Sequence, residues 1–186
     1  MILPLFRRPS RTIAALYGAI VAQARVPAFY AELGVPDTVS GRFEMVLLHV
    51  VLVLRRLRQG EGTDGQGERA VAQGLFDTFC RDMDHNLREI GISDQGLPRH
   101  MQRIGEAFYG RARAYEAALE PGAGEDSLVQ ALARNVYPDT VDAPCAGHLA
   151  NYVRETVQVL SAQSLSALAG GAVHFPKPHF LRAVTE

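Results

Sequence analysis

The chain has 186 residues, with 19 basic and 20 acidic side chains, a net charge of −1 and a mass of 20.3 kDa. That balance gives no overall basic footprint of the kind a nucleic-acid binder carries, so no nucleic-acid partner is expected. A chain of this length buries about 70% of the surface its unfolded form exposes, so it can fold on its core alone; its two cysteines, Cys80 and Cys145, are too few and too far apart for a disulfide scaffold and point to a reducing compartment.

The amino terminus admits more than one reading. Met1 to Ala31 carries four arginines and no acid, as targeting segments do, and Ala22-Gln23-Ala24 imitates a cleavage site behind the apolar Thr12 to Val21. Against this, Ile13, Leu16, Ile20, Val21 and Ala24 have the one-sided spacing of a helix docked in a domain. A third reading places Phe6, Arg7, Arg8 and Arg11 against an anionic membrane surface, where each basic residue contributes about 1 kcal/mol. No presequence of mitochondrial length is visible, which suggests a bacterial protein of the cytoplasm, peripheral at the inner membrane.

Downstream, Pro27 opens a short helical turn that Gly34 and Pro36 close, and Asp37 or Thr38 caps a long helix ending near Gln59. The apolar run Met45 to Leu54, interrupted by His49, is too short for the roughly 20 residues that cross a bilayer and reads as a buried helix. Gly60 to Gly67 has four glycines in eight residues and is expected to be a mobile loop.

The next stretch, Phe76 to Arg111, is the most specific part of the chain. Phe76, Phe79, Cys80, Met83, Leu87 and Ile90 stack on one side of a helix, leaving Asp77, Arg81, Asp84, Arg88 and Glu89 on the other. Gly91 supplies a left-handed stop, and Pro98 suits the first turn of a second helix. That helix turns Met101, Ile104, Phe108, Tyr115 and Leu119 inward and leaves Arg99, His100, Arg103, Glu106 and Arg113 for solvent or a partner.

Leu128, Leu132 and Val136 then mark a helix from about Asp126, ended by Pro138. A last long helix is expected from about Ala146 to Ala169, stopped by Gly170-Gly171 and followed by an extended, proline-punctuated tail. No two-residue alternation is long enough for a strand. The predicted fold is all-α, a single domain over residues 1–186 with about six or seven helices around a buried apolar central helix.

The runs FxxFCRDMDxNLREIGISD at Phe76 to Asp94 and PRHMQRIGEAFYGR at Pro98 to Arg111 resemble the ubiquinol-cytochrome c chaperone family, with weaker similarity around Phe43 to Leu57 and at Asn135 to Pro138. The resemblance implies an assembly chaperone for the respiratory complex that oxidises ubiquinol and reduces cytochrome c. Such a protein holds newly made cytochrome b for haem loading, in some members with a small helper protein, without an enzymatic step and without a cofactor of its own. Within the matching runs, Arg81, Asp82, Asp84, Arg99, His100, Arg103, Tyr109 and Arg111 are the candidates for a client-binding surface. The competing reading has Asp82, Asp84 and Arg99 to Arg111 bridging the two helices internally, as a signature of the fold.

Chemistry-bearing motifs are otherwise sparse. None of the six histidines forms an HxxxH or HExxH pair, and the cysteines lack metal-ligand spacing, so no metal site is expected. No GxxxxGK[ST] or GxSxG occurs. The acids at 77, 82, 84 and 89 alternate with Arg81 and Arg88 on a solvent face, where helix-surface ion pairs of about 0.2 to 0.5 kcal/mol account for them. The alternative function is haem handling, with His49, His100 or His148 as a ligand.

Overall fold

The computed structural model describes residues 10–59, 66–140 and 145–178. Among them are eight helical segments and no strand: α1 (Arg11–Ala24), α2 (Pro27–Ala31), α3 (Val39–Arg58), α4 (Gln66–Glu89), α5 (Leu97–Ala118), α6 (Ser127–Val136), α7 (Cys145–Ala162) and α8 (Leu165–Ala169). Two of the eight are single turns of five residues, so six substantial helices carry the all-α fold.

The centre is α3. Every residue from Glu44 to Leu54 is buried, and α1, α4, α5, α6 and α7 all pack on this one helix. Thr38 is its cap: the Thr38 hydroxyl accepts from the Gly41 amide at 3.1 Å, which satisfies one of the orphan donors of the first turn. Gly41 is fixed by close approach, because a Cβ there would collide with the Pro36 carbonyl. The chain entering α3 therefore doubles back tightly on its own first turn.

Arg11–Ala31 spans 21 residues with a mean hydropathy of 1.3, enough by length and composition to cross a membrane. In this structure it is broken at Arg25 and Val26 into α1 and α2, and Leu16, Ile20, Ala24 and Phe29 are fully buried in the core. Two hydrogen bonds hold α1 in place: the Tyr17 hydroxyl donates to Asp82 on α4 at 2.7 Å, and Gln23 donates to the Tyr152 hydroxyl on α7 at 3.0 Å. The docked-helix reading describes this structure.

His49 occupies the middle of the core with no exposed surface. Its Nδ1–H donates to the Met45 carbonyl at 2.7 Å, which leaves Nε2 to accept from the Tyr152 hydroxyl at 2.8 Å. Burial pushes the imidazole down to about 4 and the Tyr152 phenol up to about 12, so both stay neutral. The rings of Phe29, Tyr152 and Phe175 surround it, with Phe29 and Phe175 edge-on at 5.5 and 5.4 Å. With both nitrogens engaged in an enclosed site, His49 has no lone pair to offer a haem iron.

Residues 172–178, which follow α8 without regular structure, are tied down, and the rest of the tail, residues 179–186, lies outside the described residues. Gln163 forms a reciprocal pair with the His174 backbone, donating to its carbonyl at 2.9 Å and accepting from its amide at 2.8 Å, and Gln23 also donates to the Pro176 carbonyl.

Three expectations need correction. Gln66 and Gly67 belong to α4 and not to a loop; the rest of that stretch, residues 60–65, lies outside the described residues. The long carboxy-terminal helix breaks at Gln163, and Ser164 caps a separate α8 by accepting from the Ala167 amide at 3.2 Å. Ile90, counted among the inward residues of its helix, is 68% exposed, because α4 ends at Glu89 and the chain has left the helical path.

Candidate client-binding surface

The signature stretch forms a hairpin of α4 and α5. Gly91, at φ +88°, ends the first helix in the left-handed region where a side chain is strained, and its amide bonds to the Arg88 carbonyl. Arg88 braces the turn by reaching both Asp84, at 2.9 Å, and Asp94. Pro98 lies in the first turn of α5, where its missing N–H costs no hydrogen bond.

An aromatic seam joins the two helices. Phe108 on α5 packs between Phe76 and Phe79 of α4, with ring centroids at 4.9 and 5.4 Å, and Phe43 of α3 continues the stack to Phe79 at 6.3 Å. Tyr109 caps this seam from outside: its ring lies 6.0 Å from Phe76 and 5.7 Å from Phe108, yet the residue is 64% exposed. An aromatic side chain anchored on one face and open on the other has the form of an interface hot spot.

The charged candidates divide into two groups. Asp82 and Arg111 turn inward. Asp82 accepts from Tyr17, whose phenol is raised far above its usual range by burial first and by that carboxylate second. Arg111 grips Glu44 of α3 with Nε and Nη2, and Glu44 is only 4% exposed. Burial pushes the Glu44 carboxyl up against the opposing pull of Arg111, while the pairing raises Arg111 in turn. Both residues thus make internal bridges, but to α1 and α3 and not across the hairpin to each other. Sequence spacing could not supply these partners, because Tyr17 and Glu44 are 65 and 67 residues away.

The second group is mixed: two of its members face out and three are half-buried. Arg99 and Arg103 are exposed along α5, and the half-buried His100 lies in the same turn, its Nδ1–H donating to the Gly96 carbonyl at 3.0 Å. On α4, Asp84 is half-buried under Arg88, and Arg81, three residues before it, is half-buried with its Nε enclosed. Arg11, the first residue of α1, is exposed; Phe6, Arg7 and Arg8 lie outside the described residues.

The hairpin ties Asp82 and Arg111 to α1 and α3 and leaves Arg99, Arg103 and Tyr109 of α5 in solvent, a basic and aromatic helix face of the kind protein interfaces use. The family model described as ubiquinol-cytochrome C chaperone matches residues 31–175, and the chain belongs to that family. It is 27% identical over 146 residues to the ubiquinol-cytochrome-c reductase complex assembly factor 1 of Xenopus laevis, covering 78% of this chain and 70% of that protein. The corresponding mouse protein is 24% identical over 150 residues, covering 80% of this chain and 49% of its own length, so this chain spans about half of that relative. Among solved structures, the crystal structure of the Cbp3 homolog from Brucella abortus superposes with a TM-score of 0.80 at 41% identity, covering 89% of each chain.

Proposed function

We propose that this protein is an assembly chaperone for ubiquinol-cytochrome c reductase, which binds newly made cytochrome b and holds it for haem loading. The observation that carries the reading is the family match across residues 31–175, which takes in the whole α4–α5 hairpin. On that hairpin Arg99, Arg103 and Tyr109 are open to solvent, and they are the contact residues of the proposal, with His100 and the α4 residues Arg81 and Asp84 at its margin. The protein works by binding and release, without turnover.

A membrane-proximal position suits a membrane-protein client. The solvent face of α1 supports it: Ala14, Ala15, Gly18 and Ala22 are exposed between Arg11 and Arg25, an uncharged strip with a cation at each end. Flotation of the full-length protein with anionic liposomes tests this part, and salt-resistant absence from the vesicles would remove it.

The test of the main reading is affinity capture of the tagged protein from membranes solubilised while respiratory complexes are being made, followed by peptide identification and a haem spectrum. Enrichment of cytochrome b with a substoichiometric haem signal is the expected result. Capture of the protein with no reductase subunit would overturn it.

A further inference from the structure

The outer side of α5 carries a one-sided charge that the rest of the fold does not use. Arg99, Arg103, Glu106, Gly110 and Arg113 follow each other at steps of four and three residues, and all five are exposed. Three arginines stand there against one glutamate, in a chain whose net charge is −1. Among the described residues, none of the three arginines has a carboxylate within ion-pair distance, whereas Arg42, Arg58, Arg88 and Arg111 are all paired. Glu106 accepts a hydrogen bond from Gln102 at 2.9 Å and neutralises none of them. From Arg99 to Arg113 the line runs about 21 Å along the helix.

Two glycines lie on this helix. Gly105 and Gly110 sit in the interior of α5, where glycine is disfavoured relative to alanine, and a Cβ at either position would meet nothing within 4 Å. The intramolecular packing therefore does not demand them. Gly110 is exposed on the charged line itself and leaves the α5 backbone open there to close approach from outside, whereas Gly105 is half-buried about a third of a turn away.

We infer that the outer face of α5 receives an acidic helical segment of a partner polypeptide, laid along the line from Arg99 to Arg113 and anchored by Tyr109. The inference rests on the hairpin being the contact surface and adds the chemistry of what it contacts. Charge complementarity selects an acidic partner. A second copy of this chain, meeting the same face across a twofold axis, would oppose arginine to arginine. A bilayer surface fits less well, because the apolar side of α5 is turned into the core and Tyr109 is the one large apolar side chain this helix exposes. A straight line of charge with a glycine window at Gly110 matches the close packing of one helix on another.

The test incorporates a photo-crosslinking phenylalanine analogue in the full-length chain in cells, at the position of Tyr109 and, as a control on the exposed side of α7, at that of Gln158. Adducts are identified by peptide sequencing. The expected result is an adduct at position 109 to a segment with net negative charge and helical periodicity. Its yield should fall about tenfold or more in R99E/R103E/R113E and return in R99K/R103K/R113K, with circular dichroism confirming that each variant is folded. A neutral or basic segment, a lipid, a second copy of this chain, an undiminished yield in the reversed variant, or no adduct at position 109 would each overturn the inference. The identity of the adduct judges the proposed client separately. An acidic helix from outside the reductase keeps the surface and loses the client, and a basic cytochrome b segment does the reverse.

Discussion

Arg111 and Glu44 form a two-pronged ion pair across the α3–α5 interface, with Nε and Nη2 of the arginine each within 2.6 Å of a carboxylate oxygen. Glu44 is the first residue of the continuous buried stretch of α3, so the last arginine of the signature serves as the counter-charge that lets this carboxylate enter the core. Arg111→Ala should therefore cost about 3 to 5 kcal/mol, because it strands a buried carboxylate. Arg111→Lys should lose part of that through the missing fork, and the pair Glu44→Gln with Arg111→Met should recover much of it. Urea unfolding midpoints check all three, and a neutral Arg111→Ala would contradict the buried-pair account.

Arg99 and Arg103 make the opposite prediction. Replacing both by alanine should leave unfolding free energy within about 0.5 kcal/mol of the parent, since neither side chain is paired or buried. Capture of the client should nevertheless fall. Loss of stability in the double variant would show an internal role that the geometry does not contain.

The buried imidazole of His49 sets a pH dependence. Its folded value is pushed down to about 4 from 6.5, so the unfolded chain takes up a proton that the folded chain refuses. The stability it contributes is fully present above the unfolded value and is lost as pH falls from about 6.5 through about 4. Between about pH 7.5 and about pH 5 this one site should remove roughly 2 kcal/mol, and His49→Gln should flatten the profile by that amount. Guanidinium titrations at the two pH values read it directly; parallel profiles would exclude His49 as the source.

Much of the fold was legible because apolar periodicity marks which face of a helix is buried. It placed α3 as the core helix, found the inward residues Leu16 and Ile20 of α1, and located the Gly91 stop. It failed where a local cap competes with the pattern: Ser164 starts a new helix inside an apolar run that reads as continuous. At the site, exposure of Arg99 and Arg103 followed from helix phase, while Tyr109 was singled out only by the family resemblance. The inward turn of Asp82 and Arg111 did not, because both lie near the edge of the apolar face and their direction is decided by Tyr17 and Glu44, which only the tertiary fold brings close.

Tyr152 links α7 to His49, and Gln23 links the same hydroxyl to the carboxy-terminal segment through Pro176. Tyr152→Phe should cost about 1 to 3 kcal/mol, the desolvation of the groups left without a partner. Gln163→Ala, which removes the reciprocal bonds to His174, should act locally and expose residues 172–178 to limited proteolysis at a faster rate than in the parent. Unchanged proteolysis in Gln163→Ala would mean that the Gln23 and Phe175 contacts hold the segment on their own.

The most direct measurement is ubiquinol-cytochrome c reductase activity, with the cytochrome b absorbance, in membranes of a strain from which this chain has been deleted. The account predicts loss of both, restored by the parent chain and not by the folded R99E/R103E/R113E variant. Normal reductase and a normal cytochrome b spectrum in the deletion strain would contradict it.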